Sequence, residues 1–311
     1  MLSLTTEKSV LRLSVFGAFS LAALGIGFGL MSGAASILFD GVYSLIDAVM
    51  AILTLVTVNL ITGFTVNGGL SRKLRERFNM GFWHLEPMVI GLNGTLLIAA
   101  AIYAFFISIS AILAGGRELE FGWAIGYAAV TSVMCFSLMA LEIKANRRIN
   151  SAFIALDIKG WLMSGSITTA LLIAFGVGLA VKGTDYAWIA PYVDPTILGL
   201  ICVAIIPVPI ITVVKALGDV FLVTPPELKS HVDAVAASFV KRHGLISYRS
   251  YVARVGRSRT IEVYFIVPSD GAAYPIGHWD GLREEVSEEL GGEGPDRWLI
   301  IVFTGDPAWA E

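Results

Sequence analysis

Three polar residues within one strongly apolar stretch are the first candidates for chemistry. The segment ILFDGVYSLIDAVM places Asp40, Tyr43 and Asp47 at offsets of 0, 3 and 7, so a helix carries all three on one face. A carboxylate inside a membrane costs roughly 2.5 to 3.5 kcal/mol on insertion scales, and such residues typically mark ion pathways or proton relays. This face is too polar to contact lipid.

A second polar stripe lies in another apolar stretch. The segment ALDIKGWLMSGSITT places Asp157, Gly160, Ser164 and Thr168 at offsets of 0, 3, 7 and 11, which again form one helical face. Two such stripes indicate a shared interior cavity. The alternative is that these residues only join helices, since Gly and Ser permit close approach and a protonated Asp donates a hydrogen bond. That alternative suits Gly160, Ser164 and Thr168 better than it suits the carboxylates.

The elements that carry these residues are predicted to be transmembrane helices. Of the 311 residues, 56% are hydrophobic and 15% are charged, with a mean hydropathy of +0.75, which is too apolar for a water-soluble domain. A bilayer core about 30 Å thick needs roughly 20 apolar residues. Six runs reach that length, near residues 9–31, 36–62, 86–113, 121–142, 153–181 and 195–217.

The charge distribution predicts the orientation of the six spans. Basic residues cluster in three places, and the positive-inside rule makes all three cytoplasmic, so both termini are expected inside. The clusters are Lys8 with Arg12, the loop of Arg72, Lys73, Arg75 and Arg77, and Lys144 with Arg147 and Arg148. The first apolar stretch is too long for a signal peptide and is expected to remain as a helix. In a bacterium, the protein would lie in the inner membrane.

Other features narrow the class of protein. The net charge of -3 gives no reason to expect a nucleic-acid partner. Cys135 and Cys202 both fall within predicted spans, where packing is the expected role. The sequence carries no phosphate loop, nucleophile triad or dinucleotide fingerprint, so we expect neither an enzyme nor an organic cofactor. Glu142 and Lys144 are expected to extend to the cytoplasmic rim of the fourth span.

The residues after Pro225 have a different pattern. Helical spacing ends at Gly244, two alternating segments flank a turn at residues 256–258, and a helix near 277–290 precedes a strand near 298–303. The order is therefore helix, strand, strand, helix, strand. It predicts a small cytosolic α+β domain over residues 223–311, after a membrane domain over residues 1–222.

The sequence resembles the cation diffusion facilitator family, also called the cation efflux family, over almost the whole chain, and four local patterns carry the resemblance. They are SILFDGVYSLIDAVM, GFWHLEPMV at the third span, the region of Trp161, and YVDPTI at the sixth span. The resemblance implies six spans, a ferredoxin-like cytosolic domain and a homodimer. It also implies the export of a divalent metal ion in exchange for protons.

The sequence departs from the metal ligands that the resemblance implies. The family pattern of two residue pairs, on the second and fifth spans, falls here on Tyr43, Asp47, Gly160 and Ser164, of which only Asp47 has a carboxylate. Because the two spans run antiparallel, Asp157 approaches the level of Asp47. We therefore predict a site displaced one turn towards the cytosol, built from both aspartates with the Tyr43 hydroxyl or water.

The remaining residues near this site have weaker expectations. Asp40 lies about 10.5 Å from Asp47 along the axis and is predicted to be an outer relay that faces Ser164 and Thr168. An oxygen-rich shell favours Mn²⁺, Fe²⁺ or Mg²⁺ over Zn²⁺ or Cd²⁺. Lys159 is expected to point away from the site towards the membrane rim. The competing interpretation is a family relative that does not transport and acts as a sensor or scaffold.

Histidines offer two further possibilities. His84 and Glu86 match a His and a Glu that the resemblance implies at the third span, or they form an interfacial anchor with Phe82 and Trp83. The resemblance also allows a regulatory metal site in the cytosolic domain. Its candidate ligands are His231, His243 and His278, for which an ordinary surface position is the favoured interpretation.

Overall fold

A computed structural model describes residues 7–65, 72–78, 81–149, 152–268 and 274–311. The chain divides into two compact units, one of Met1–Leu55 with Leu92–Val213 and the other of Val56–Gly91 with Val214–Glu311. The predicted domain boundary between residues 222 and 223 does not correspond to the division into these two units, and it stays a prediction. The helices of the membrane part are α1 (Glu7–Ser32), α2 (Ala35–Thr65), α3 (Arg72–Arg77), α4 (Leu85–Leu113), α5 (Phe121–Ile149), α6 (Ala152–Val181), α7 (Val193–Ile205) and α8 (Pro207–Val220).

Six helical segments in the described part of the chain are long and apolar enough to cross a membrane. The number agrees with the prediction, and the protein is an integral membrane protein with six spans. The segments are Ser9–Ser32, Ala35–Phe64, Leu85–Leu113, Phe121–Ile149, Gly160–Val181 and Ala187–Val220.

The sixth span differs from the single uninterrupted helix that its apolar run predicts. It begins with a 3₁₀ turn, Ala187–Tyr192, continues as α7 and is interrupted at Ile206 before α8 starts at Pro207. Proline has no N–H group and its ring crowds the preceding turn, so Pro207 ends one helix and suits the first position of the next.

The first compact unit is held by close helix packing. A Cβ atom at Gly25 of α1 would lie 2.5 Å from the Cα atom of Gly41 on α2, so the two backbones touch at this crossing. Tyr127 and Phe175 are fully buried in the largest core cluster of this unit. Cys135 and Cys202 are buried with free thiols, as the packing role predicts.

The second unit contains the predicted α+β elements in the predicted order. They are α9 (Pro226–His243), β1 (Ser247–Val255), β2 (Ser258–Ile266), α10 (Ile276–Leu290) and β3 (Arg297–Thr304), and a 3₁₀ turn, Pro307–Ala310, follows. The sheet order is β1-β2-β3, with β1 antiparallel and β3 parallel to β2. This small mixed sheet leaves the ferredoxin-like assignment a prediction.

The hydrophobic core of this unit lies between the helices and the sheet. Val232 and Phe239 of α9 and Val286 of α10 pack against Val263 and Phe265 of β2. Helix α9 ends at Gly244, whose φ of 64° is the left-handed conformation that glycine adopts without strain. The sequence pattern therefore located this stop correctly.

Candidate functional site

Asp47 lies on α2 in a polar setting. The side-chain amide of Asn93, on α4, donates a hydrogen bond to its carboxylate, and Tyr43 is close enough to interact with it electrostatically. The buried Oδ1 atom of Asn93 has no hydrogen-bond partner among the described residues. Asp47, Tyr43 and Asn93 therefore present oxygen atoms at one level of the helix bundle.

Asp157 lies on α6 beside a second acidic residue, Glu142 of α5. The two carboxyl groups are close enough to interact electrostatically, and the Ser14 hydroxyl of α1 lies beside both. Trp161 donates from its indole Nε1 to Glu142 Oε1 and to Ser14 Oγ, each at 3.1 Å. Three helices thus converge on one small polar cluster.

Asp157 connects the polar surroundings of Asp47 electrostatically with the cluster around Glu142. Its carboxylate interacts with the charge of Asp47 as well as with Glu142. The displaced-site hypothesis requires Asp47 and Asp157 to approach each other across α2 and α6. The hypothesis itself stays a prediction, because among the described residues no group of three or more His, Cys, Asp or Glu side chains is arranged to hold a metal ion.

Glu142 corrects one expectation. It was expected to extend to the cytoplasmic rim of its span, whereas it is only 1% exposed and faces the interior of the bundle. The reason is local packing: the indole of Trp161 and the hydroxyl of Ser14 supply polar contacts that keep the carboxylate inside. The side chain of Lys159 lies outside the described part of the structure.

Asp40 has different neighbours from Asp47. The hydroxyl of Tyr127, a fully buried residue of α5, donates to its Oδ2 atom at 2.5 Å. Asp40 also lines a cavity of about 60 Å³ between α2, α6 and α7, together with Tyr43 and Ser164. The prediction that Asp40 faces Ser164 rather than Asp47 fits this placement, and its role as a relay stays a prediction.

Gly160 occupies the third of the four positions where the family pattern has metal ligands. A Cβ atom built there meets nothing within 4 Å, so the absence of a side chain leaves open space. Thr168 is buried and donates to the carbonyl oxygen of Ser164 at 2.8 Å. Its contact is therefore with its own helix.

Asp194 explains the YVDPTI pattern in structural terms. Its carboxylate accepts hydrogen bonds from the backbone N–H groups of Ala35 at 3.0 Å and Ser36 at 3.1 Å, and from the Ser36 hydroxyl. It therefore caps the N-terminus of α2 from the start of α7, at 1% exposure.

His84 and Glu86 do not form a common site in the structure. Glu86 accepts a hydrogen bond at 2.9 Å from Arg257, in the turn between β1 and β2, and His84 is exposed. Phe82 is buried against Phe64 and Phe78, and the interfacial anchor stays a prediction.

The three histidines that follow residue 225 have separate contacts. His231 contacts the carbonyl oxygen of Leu290 at 3.2 Å, and His243 contacts Glu285 at 3.1 Å. His278 stacks on Tyr274 with 4.4 Å between the ring centroids.

Sequence reasoning missed several residues of the polar clusters. Asn93, Ser14 and Tyr127 are polar residues within apolar spans, and their polarity was the available sequence signal for an interior position. What the sequence does not show is which helix faces each of them.

The arrangement defines a class of protein: six membrane spans enclose carboxylates in their interior, as ion transporters do. The family model of the cation efflux transmembrane domain matches residues 11–219, well over half of the chain. The chain therefore belongs to the cation diffusion facilitator, or cation efflux, family and is a cation transporter of that family. No curated protein matches it.

Proposed function

We propose that the protein transports a divalent metal cation out of the cytosol in exchange for protons. The observation that supports this most directly is the approach of Asp157 on α6 to Asp47 on α2. Two carboxylates in a medium of low dielectric repel each other unless a cation or a proton lies between them. Metal entry and proton release are therefore coupled at such a pair.

The chemistry of the surrounding groups selects the kind of ion. Asp47, Asp157, the Tyr43 hydroxyl and the free amide oxygen of Asn93 are all oxygen donors. Oxygen ligands suit hard cations, so Mn²⁺, Fe²⁺ or Mg²⁺ is the proposed substrate rather than Zn²⁺ or Cd²⁺. We assign Tyr43 and water to complete the shell. The divalent ion is cargo, and no cofactor is proposed.

The outer cavity supplies a route for the protons. Asp40 lies there among the hydroxyl groups of Tyr43, Ser44 and Ser164, and Tyr127 donates to it. A carboxylate with hydroxyl neighbours is a suitable proton relay. Asp40 would return protons towards the inner pair after the metal has left.

The remaining parts of the proposal concern assembly and placement. The cytosolic domain is proposed to hold two copies of the chain together as a homodimer, with both termini in the cytosol and lipid around the spans. In a bacterial cell the membrane would be the inner one. No interaction with nucleic acid is proposed.

A second candidate function is a membrane sensor or scaffold that does not transport. It is favoured by one observation: the family's metal positions here hold Tyr43, Gly160 and Ser164, and among the described residues no set of three or more ligands is formed.

Transport in proteoliposomes separates the two functions. The full-length protein is reconstituted in vesicles with an acidic lumen, and the uptake of Mn²⁺, Fe²⁺, Co²⁺ and Zn²⁺ is followed together with lumenal pH. We expect Mn²⁺ or Fe²⁺ uptake that depends on the pH gradient and is abolished by Asp47→Ala and by Asp157→Ala. Asp185→Asn, in an exposed loop, is the control for loss of one charge.

The other outcomes are equally informative. Loss with Asp47→Ala alone would return the site to the level usual in the family. The absence of uptake for any ion, with correctly inserted protein, would support the sensor function.

A further inference from the structure

Glu142 has an unusual combination of burial and incomplete hydrogen bonding. Its Oε1 atom accepts the Trp161 indole hydrogen bond, whereas its Oε2 atom is buried and has no partner among the described residues. A buried charged oxygen without a donor costs several kcal/mol in general, so such an atom normally marks a missing partner. The residue is 1% exposed.

Among the described residues, the polar neighbours of Glu142 supply oxygen atoms rather than positive charge. Asp157 and Ser14 are its polar neighbours besides Trp161, and neither carboxylate has a described basic side chain among its electrostatic contacts. Two carboxylates and a hydroxyl from three different helices therefore face one another. Such a set is stabilised by a proton shared between the carboxyl groups or by a bound cation.

We propose that Glu142 is a ligand of the transported divalent cation and forms, with Asp157 and the Ser14 hydroxyl, an inner oxygen site. The ion would bind at this site before or after it binds at Asp47, and Asp157 would be a ligand at both positions. The proposal rests on the proposed function for its role in transport. Its ligand class is a hard divalent cation, for which Mn²⁺ is the probe.

The position of Glu142 supports a role at the entrance from one side of the membrane. It lies towards the end of α5 and Asp157 lies towards the start of α6, so both are near the connection between these two helices. Asp40 lies near the start of α2, on the other side of Asp47 in the same helix. The acidic residues thus follow one another along the bundle from the connection between α5 and α6 through Asp47 to Asp40.

Mn²⁺ binding to the purified full-length protein in detergent tests the proposal. The loss of the six-line electron paramagnetic resonance signal of free Mn²⁺ measures the bound ion. Glu142→Gln keeps an oxygen acceptor for Trp161 and removes the charge, and we expect at least about tenfold weaker binding. Trp161→Phe removes the indole donor and keeps both carboxylates, and we expect a smaller loss. Equal binding by Glu142→Gln, or a larger loss with Trp161→Phe, would overturn the proposal.

Glu142→Cys provides a second test that does not depend on weakened binding. A thiolate in place of a ligand is expected to shift preference from Mn²⁺ towards Cd²⁺ and to add thiolate-to-Cd²⁺ absorption in the ultraviolet. The native protein, in which Cys135 and Cys202 are buried with free thiols, is the reference. A folded Glu142→Cys variant with unchanged metal preference would contradict the assignment.

Failure of this proposal is distinguishable from failure of the proposed function. If Asp47→Ala abolishes Mn²⁺ transport while Glu142→Gln retains native binding and transport, the function stands and Glu142 is not a ligand. If the native protein neither binds nor transports any divalent ion, both are rejected.

Discussion

Asp194 and Glu142 are both carboxylates in membrane spans, and each is 1% exposed, yet their surroundings differ. Asp194 accepts from two backbone N–H groups and one hydroxyl. Glu142 accepts from the Trp161 indole, and its other oxygen has no partner in the described part of the chain. Burial alone therefore does not identify a functional residue. The carboxylate whose donors come from the protein holds the fold together, and the carboxylate without them is available to a ligand.

The largest effect is expected from Asp194→Ala. The substitution leaves the N–H groups of Ala35 and Ser36 without their acceptor at the start of α2, and hydrogen bonds to a charged group contribute roughly 1.5 to 3 kcal/mol each. We expect a destabilisation of about 3 kcal/mol or more, seen as a lower temperature of thermal unfolding in detergent. The Mn²⁺ stoichiometry of the folded fraction should stay native. Loss of Mn²⁺ from folded protein would break the comparison with Glu142.

Gly160→Asp tests the comparison by adding a carboxylate instead of removing one. Because a Cβ atom there meets open space, the added carboxylate requires no repacking and restores a ligand type at the family position. We expect roughly tenfold tighter Mn²⁺ binding, measured as above, because a third carboxylate joins those of Asp47 and Asp157. Gly160→Asn adds nearly the same volume without the charge and serves as the control. Equal affinities for the two variants would show that position 160 does not face the ion.

A smaller effect is expected from Tyr127→Phe. It removes the hydroxyl that donates to Asp40 and leaves Asp47, Asp157 and Glu142 unchanged. If the outer cavity serves proton return, the rate of Mn²⁺ transport should fall by about three- to tenfold while the equilibrium affinity stays native. A fall in affinity of the same size would place Asp40 in the metal site. Tyr103→Phe, on an exposed face of α4, is the matched control.

Much of the fold was predictable from the sequence because membrane spans depend on composition and length. The six spans and the stop of α9 at Gly244 follow from local patterns. The break at Ile206 precedes Pro207, a residue inside the sixth predicted run that was not used to predict an interruption.

The candidate site was predictable only in part. Helical spacing put Asp40 and Asp47 on one face, and the resemblance supplied the importance of α2 and α6. The role of Glu142 was not predictable, because it depends on how Trp161 and Ser14 pack around it from other helices. The general tendency of a long charged side chain near a helix end to extend outwards gave the wrong answer here.

The smallest effect is expected from Asp233, which tests what solvent does to a carboxylate with several donors. Lys229 and Ser250 both donate to Asp233, at 2.6 Å and 2.5 Å, but about a third of each ion-pair side chain is exposed. Partial burial raises the pKa of Asp233. The hydrogen bonds from Lys229 and Ser250 and the positive charge of Lys229 lower the pKa by more than burial raises it. The pKa of Asp233 therefore lies below its ordinary value.

The sign of the resulting pH dependence follows from this lowered pKa. A carboxylate with a lowered pKa stabilises the fold above its unfolded pKa, near 4, and this contribution disappears as pH falls through the folded pKa.

We expect Asp233→Asn to cost less than about 1 kcal/mol at pH 7 because solvent screens the pair. Hydrogen exchange of the β1 amides in the full-length protein should speed up slightly at pH 7. Native protein and variant should become alike as the pH falls below 4, where Asp233 takes up its proton. Asp280→Asn, which affects an exposed pair within α10, should leave β1 unchanged. A cost at pH 7 as large as that of Asp194→Ala would show that the number of donors, rather than exclusion of water, decides the stability that such a carboxylate provides.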